Sequence, residues 1–383
     1  APPYGMTLGV QHVLVVCCLG LAGLAEAYVQ PRRYLIISSP TTHNVYYATL
    51  PTLHELSFPR QQRSVIQAEV LIDGTQSRCS GSYCYEDSDR GLRSPHGVAL
   101  KQGCGSAVLY VSDVEAQDIF AYELTESPMG GLQVGSQRRV RQGVAGDAEW
   151  LAVDSLGNLF LTSPGSGQVQ TIPARSLFSS ENLTEPATVL FSADASPAVA
   201  APAGVAVDGF FVYWANQNGG GDAGPIARGP ERAAAAEQHP PKVVANGGGA
   251  YEAMASNVCL ARDNAFFTGG TGSVFATKTF LDGSGDGSNM MEVASGLAEP
   301  RGCAYDGEST LYVADGGDNA VYSLPANMVR LRAVRHPIRA ISVEKPNQLA
   351  VFAGATKSHC PHQPMPSRAS AAGRFAAAIV AVL

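Results

Sequence analysis

Ala203-Gly-Val-Ala-Val-Asp-Gly-Phe-Phe-Val-Tyr-Trp-Ala-Asn216 reads as two short strands around a tight turn. Gly204 to Val207 is small and apolar, Asp208-Gly209 turns the chain, and Phe210 to Trp214 is β-branched and aromatic, as a pleated buried strand requires. Versions of this stretch recur. First strands begin at His96-Gly-Val-Ala-Leu100, Glu149-Trp-Leu-Ala-Val-Asp154, Ser256-Asn-Val-Cys-Leu260, Arg301-Gly-Cys-Ala-Tyr-Asp306 and Arg339-Ala-Ile-Ser-Val343. Second strands follow at Val108–Asp113, Leu159–Ser163, Ala265–Gly269, Leu311–Asp315 and Leu349–Gly354. Third strands such as Asp118–Tyr122 and Asn319–Ser323 come next, and fourth segments such as Ala187–Phe191 and Pro241–Ala245 complete several units.

Four short antiparallel strands in a unit of about 40 to 50 residues are the signature of a β-propeller blade. One four-stranded sheet cannot bury both faces alone, so blades pack face to face around an axis. Small residues suit the crowded innermost strand and aromatics the second. The N-terminal segment supplies an incomplete blade, with Arg33–Ser39 as a second strand, Asn44–Thr49 as a third and Ala68–Ile72 as a fourth. The strands after Arg339 supply its missing first strand, which closes the ring and removes exposed sheet edges. The expected fold is an all-β propeller of six four-stranded blades. A count of seven stays open, because Leu349 to Phe352 duplicates Tyr34 to Ile37.

The pattern small-G-V-A-V-D, then L-Y-W/V-A-D/N, then V-Y/A resembles the six-bladed propellers of the NHL and YWTD (low-density-lipoprotein-receptor class B) type, over about Arg33 to Ala355. These are related in fold to regucalcin-like gluconolactonases and peptidyl-amidating lyases. The shared residues are blade-forming ones, so the resemblance implies a fold rather than an activity. It implies that Asp113, Asn216 and Asp315, which match the YWTD aspartate, tie turns. The gluconolactonases hold a divalent cation on the axis with Glu, Asn and Asp, a set that Glu149, Asn257 and Asp147 would imitate here. Arg301 stands where a further carboxylate would be wanted, and a guanidinium repels a cation. The lyases gather several axial histidines around zinc, and this chain has only His96 at the matching place.

A mild net charge of −7 and the lack of a Lys/Arg run exclude an electrostatic nucleic-acid surface. Charged residues make up only 15%, and Gly and Pro are plentiful, which fits a turn-rich, well-cored β protein and not a disordered chain. Met6 reads as an initiator preceded by an upstream artefact, Ala1 to Gly5. Val13 to Leu24 is an apolar core of signal-peptide length, and Ala25-Glu26-Ala27 is an A-x-A cleavage site. The expected organisation is a signal peptide over 1–27, a propeller over 28–358 and a tail over 359–383, in a secreted or lumenal protein without a membrane span in its mature form. Phe375 to Leu383 is an apolar end after small residues, which reads either as a loosely docked tail or as a GPI-anchor-like signal.

After cleavage six cysteines are left. Cys79 and Cys84 form the local disulfide candidate, and Cys104 competes for either partner. Cys259 and Cys303, each inside a first strand, can bridge neighbouring strands or stay buried thiols. Asn182-Leu-Thr184 is a glycosylation acceptor. His359-Cys360-Pro-His362 has metal-like residue types without a second half, and Asp282 to Asn289 lacks the terminal acidic ligand of an EF-hand.

Propeller ligands enter at the axial mouth, and the residue ahead of each first strand points there. That ring is His96, Glu149, Ala203, Ser256, Arg301 and Arg339. It is polar and mixed in charge, which suits a protein or small-molecule ligand, anionic or peptidic. The leading reading is a binding or interaction module without a cofactor. The alternatives are a metal-dependent hydrolase or lyase of gluconolactonase type, with one Ca or Zn on the axis, and a structural part of an extracellular assembly.

Overall fold

A computed structural model of the chain describes residues 32–52, 64–75, 91–103, 106–143, 148–177, 183–219, 223–246, 254–280, 289–334 and 336–354. Cys79, Cys84, Cys104, Asp147, Asn182, the His359 to His362 stretch, most of the Asp282 to Asn289 loop, the 1–27 segment and the apolar tail lie outside the described residues.

The strands are β1 (Arg33–Ser39), β2 (Asn44–Thr49), β3 (Ile66–Gln67) and β4 (Glu69–Ile72); β5 (Pro95–Gly103), β6 (Ser106–Asp113), β7 (Asp118–Glu126), β8 (Leu132–Val134) and β9 (Arg138–Gln142); and β10 (Trp150–Val153), β11 (Leu159–Ser163), β12 (Gln168–Ile172) and β13 (Thr188–Ser192). There follow β14 (Pro202–Val207), β15 (Phe211–Asn216), β16 (Ile226–Pro230) and β17 (Lys242–Ala245); β18 (Ala255–Ala261), β19 (Asn264–Gly269), β20 (Ser273–Lys278) and β21 (Met291–Ala294); and β22 (Pro300–Tyr305), β23 (Thr310–Asp315), β24 (Ala320–Pro325), β25 (Ile338–Ser342) and β26 (Leu349–Ala353). They build six blades in a ring. Blade one is β26-β1-β2-β4, and blade two is β5-β6-β7 with β8 and β9 both on β7. Blades three, four and five follow in chain order, and blade six is β22-β23-β24-β25 with β3 added at its outer edge. The protein is therefore a six-bladed β-propeller.

Both chain ends contribute to blade one: Leu349 pairs with Ile37 and Ala353 with Arg33. This corrects the expectation at the seam. Ile338–Ser342 is the fourth strand of blade six, and the closing innermost strand is Leu349–Ala353. Arg339 thus lies on an outer strand opposite Tyr322 and is not a member of the axial ring. Its Nη2 donates to the carbonyls of Asp318 and Asn319, at 3.2 and 3.3 Å. Both segments are short apolar alternations, so local pattern does not rank them. Partner availability does: β24 needs an outer neighbour and β1 an inner one.

Six apolar cores, one per blade junction, hold the ring together. At the junction of blades one and two, Tyr34 and Ile36 meet Leu109 and Val111. At the junction of blades four and five, Tyr213 and Ala215 meet Val258 and Phe267. Second strands carry the bulk: Tyr110, Phe160, Tyr213, Trp214, Phe266, Phe267 and Tyr312 are all fully buried. Alternating side chains along each strand feed the core on either side, so every blade shares both faces. Cys259 and Cys303 are joined as a disulfide, which staples the innermost strands of blades five and six across 5.9 Å between Cα atoms. At the seam, Arg33 of β1 reaches into blade six, 3.0 Å from Asp306 Oδ2 and 2.9 Å from Glu308 Oε2.

Candidate functional site on the propeller axis

The strand registers align the six innermost strands. Val98 opposes Val111, Leu151 opposes Leu161, Val205 opposes Trp214, Val258 opposes Phe267, Cys303 opposes Val313 and Leu349 opposes Ile37. One position earlier stand, around the ring, Gln348, Gly97, Trp150, Gly204, Asn257 and Gly302. Glycine alternates with a larger residue, and the cause is close approach. A Cβ on Gly204 would lie 2.4 Å from Asn257 Cα and 2.6 Å from its Nδ2. On Gly302 it would lie 2.7 Å from Gln348 Cα. On Gly97 it would lie 2.8 Å from the Glu149 carbonyl oxygen. Gly204 and Gly302 make room for Asn257 and Gln348 of the next blade, and Gly97 for the Glu149 carbonyl and the Leu151 side chain.

Gln348 lies across the axis. Its Oε1 accepts the N–H groups of Val98 (2.9 Å) and Leu151 (3.3 Å), and its Nε2 donates to the Leu151 carbonyl at 2.8 Å. One buried amide thus ties blade one to blades two and three, and it satisfies backbone groups on the unpaired inner edge of the strands. Asn257, only 2% exposed, enters from blade five. Its Nδ2 has no hydrogen-bond partner, and neither does the buried Trp150 Nε1 within the core between blades three and four.

On one side of this layer runs an axial cavity of about 320 Å³. Every innermost strand lines it, and Asn257 and Gln348 stand at its inner end. The far end is bounded by Leu100, Val153, Val207, Leu260, Tyr305 and Val351, all half-buried. The walls are Val, Ala and Leu side chains and inner-strand backbone. The Cys259–Cys303 disulfide lines the sector between blades five and six.

The ring expected from the sequence occupies the opposite end. His96, Glu149, Ala203, Ser256 and Arg301 hold equivalent positions there in blades two to six, and none lines the cavity. The sixth member is Asn347 in place of Arg339, and its Nδ2 donates to the His96 carbonyl at 3.1 Å. Hydroxyls from preceding blades latch the same backbone. Ser38 donates to the His96 carbonyl (2.6 Å), Thr162 to Ala203 (2.5 Å) and Thr268 to Arg301 (2.6 Å). Arg301 is exposed and paired with Glu299, while Glu149 and Ser256 are half-buried. Burial pushes the His96 imidazole below its ordinary value of 6.5; Asp113 pulls it up and the Arg301 guanidinium lowers it further. His96 and Arg301 are therefore within electrostatic reach of one another, and His96 is neutral at pH 7.

Asp113, Asn216 and Asp315 tie turns, as expected. Asp315 accepts the N–H groups of Ala298, Glu299 and Gly317. Asp113 accepts those of Arg93, Ser94 and Ala116. Asn216 bridges the backbone of Ala198, Ala200 and Gly224.

Glu149 and Asn257 stand at successive levels of the inner strands of blades three and five, and Asp147 lies outside the described residues. Among the described residues no group of three or more His, Cys, Asp or Glu is close enough to hold a metal. At the Asn257 level Val98 turns its N–H, and Leu151 both its N–H and its carbonyl oxygen, toward Gln348 on the axis. Gln348 and Asn347 are hidden in the sequence because Leu349–Gly354 reads as a second strand following a first strand at Arg339. The Leu-Ala-Val frame was the signal that could have found them.

These features define the class of protein as a closed six-bladed propeller with a plugged axis. No protein-family model and no curated protein matches the chain. Solved structures align with parts of it. The periplasmic gluconolactonase of Pseudomonas aeruginosa aligns with a TM-score of 0.45 and 14% identity, over 85% of this chain and 100% of that one. A gluconolactonase of Xanthomonas campestris aligns with a TM-score of 0.43 and 14% identity, over 77% and 86%. Virginiamycin B lyase of Staphylococcus aureus gives 0.37 and 12%, over 70% and 72%. No helix among the described residues is long and apolar enough to cross a membrane.

Proposed function

We propose that this protein is a binding propeller that takes a small-molecule ligand in its axial channel. The observation that carries this reading is the 320 Å³ cavity along the axis, with the unpartnered Asn257 Nδ2 at its inner end. A buried donor without an acceptor costs about 1–3 kcal/mol, which an incoming acceptor removes. Pockets of this size with convergent polar groups are where small ligands are recognised. Selectivity comes from the shape of the cavity, the inner-strand backbone groups that face it and the Asn257 amide at its closed end.

The test is a thermal-shift and calorimetric screen of small polar and amphiphilic compounds against the full chain and against Val207→Trp, which fills the far end of the cavity. Ligands that bind the parent and not the variant support the reading. Ligands that bind both equally place recognition elsewhere, at the His96 end or on the loops. A metal-dependent hydrolase on the same axis is the second reading, favoured by Glu149 and Asn257 standing at successive levels of the inner strands. Metal analysis and a lactonase assay on the same preparation decide it: a stoichiometric divalent cation with lactone hydrolysis would replace the binding reading.

A further inference from the structure

Resting on the axial-channel reading for access, we infer that the Cys259–Cys303 disulfide is a reaction site for a low-molecular-weight thiol that enters the channel. The two cysteines belong to the innermost strands of blades five and six, and both line the axial cavity of about 320 Å³. The other polar side chains there are Asn257, Gln348 and Tyr305, so the disulfide is the one electrophile among the described residues of the lining. Asn257 stands beside it. Its Oδ1 is 3.7 Å from Cys303 Sγ, and its Nδ2 is buried without an acceptor. Gln348, the other amide at this level, uses both of its polar atoms on Val98 and Leu151. Of the two amides at the closed end, one ties blades together and the other is left over next to a sulfur.

The two sulfurs play different parts. A thiol RSH ionises, and its thiolate attacks Cys259 Sγ from the cavity. The new S–S bond forms as the Cys259–Cys303 bond breaks, and the electron pair leaves on Cys303 Sγ. Cys303 takes up one proton, which balances the one the thiol gave to water, and donates the resulting S–H to Asn257 Oδ1. The products are a mixed disulfide on Cys259 and a free thiol on Cys303, and no separate oxidant or reductant is consumed. Attack at Cys303 would expel Cys259, which lacks such an acceptor among the described residues, and is the slower branch. Asn257 Nδ2 is left to donate to a polar group of the entering thiol. The cavity, walled by six inner strands, admits a small thiol and shuts out a macromolecular one.

The folded full-length protein is incubated with β-mercaptoethanol or with a thiol-terminated polyethylene glycol, two thiols of like reactivity and unlike size. Quenching with N-ethylmaleimide in denaturant at early times, followed by peptide mass mapping, reports each cysteine separately. The expected result is a mixed disulfide on Cys259 and an alkylated thiol on Cys303, formed at least about tenfold faster with the small thiol, because exchange requires access to the sulfur. Val207→Trp, which fills the far end of the cavity, should slow the small thiol to a similar degree. Asn257→Leu should slow it about three- to tenfold, the contribution of one hydrogen bond to the departing sulfur, and should divide the adduct between Cys259 and Cys303, which a merely structural role would not do. Equal rates for the two thiols mean that the disulfide opens only on unfolding, and overturn the inference whether or not either variant folds. No adduct from the small thiol overturns it as well, and leaves the channel reading with its non-covalent ligands standing. An adduct that forms as fast in folded Val207→Trp as in the parent overturns the channel as the route for both.

Discussion

Replacing Gln348 by leucine removes three hydrogen bonds at the centre of the ring while keeping the side chain's approximate volume. The N–H groups of Val98 and Leu151 and the carbonyl of Leu151 then lose their partner. In a dry interior each orphaned group costs about 1–3 kcal/mol. These groups border the axial cavity, where water can reach them, so the sum falls at the low end, about 2–5 kcal/mol. For a chain of this size a loss of 1 kcal/mol lowers the melting temperature by about 2 °C, so the expected drop is about 4–10 °C. Gln348→Glu provides the internal control. It keeps the acceptor for both N–H groups, loses only the donor to the Leu151 carbonyl, and should melt between the parent and Gln348→Leu. The assay is thermal unfolding followed by circular dichroism, with near-ultraviolet spectra to confirm that the blades keep their packing. A Gln348→Leu protein that melts within 1 °C of the parent would show that this amide does not tie the ring together, since among the described residues Gln348 Oε1 is the acceptor for both N–H groups.

Four further outcomes follow from the structure. Gly204→Ala should destabilise by at least about 2 kcal/mol in urea unfolding, because its Cβ falls 2.4 Å from the Asn257 Cα backbone atom. Gly209→Ala has open space around its Cβ but a φ of +94°, and should cost about 1 kcal/mol. Arg33→Met leaves the Asp306 carboxylate, fully buried, without its ion partner and should cost about 3–5 kcal/mol by chemical denaturation; adding Asp306→Asn should recover part of that loss. Because His96 is held below its unfolded value of 6.5, the unfolded chain binds the extra proton first. Stability that is complete above pH 6.5 therefore falls as the pH drops through and below that value. His96→Gln should flatten this part of a melting-temperature profile between pH 5 and 7.5, and an unchanged slope would remove His96 as its source.

Much of the ring was legible in the linear chain because blade formation is local. The G-V-A-V-D and L-Y-V-A-D frames recur, and each hairpin pairs with its immediate neighbour, as in Tyr110 with Ala99 and Tyr312 with Ala304. The turn-tying roles of Asp113 and Asp315 were also readable, since their partners lie within about one hairpin of them. The site was less legible. His96, Glu149, Ser256 and Arg301 do gather at one end of the inner strands, but the cavity lies beyond the next layer, on the other side of Gln348 and Asn257. Arg339 was misplaced because the seam is the one part of the ring whose pairing is not local, with β1 meeting a strand more than 300 residues away.

By itself, then, the sequence determined the blade: its strand lengths, its small innermost and aromatic second strands, and its turns, all set by interactions over a few residues. The tertiary structure decided what happens on the axis. Which strand closes the ring, why glycine alternates with glutamine, tryptophan and asparagine, and which N–H groups converge depend on six strands brought together from across the chain. No local pattern encodes that meeting, because the side chains that plug the axis are selected by the blade opposite and not by their own neighbours in sequence.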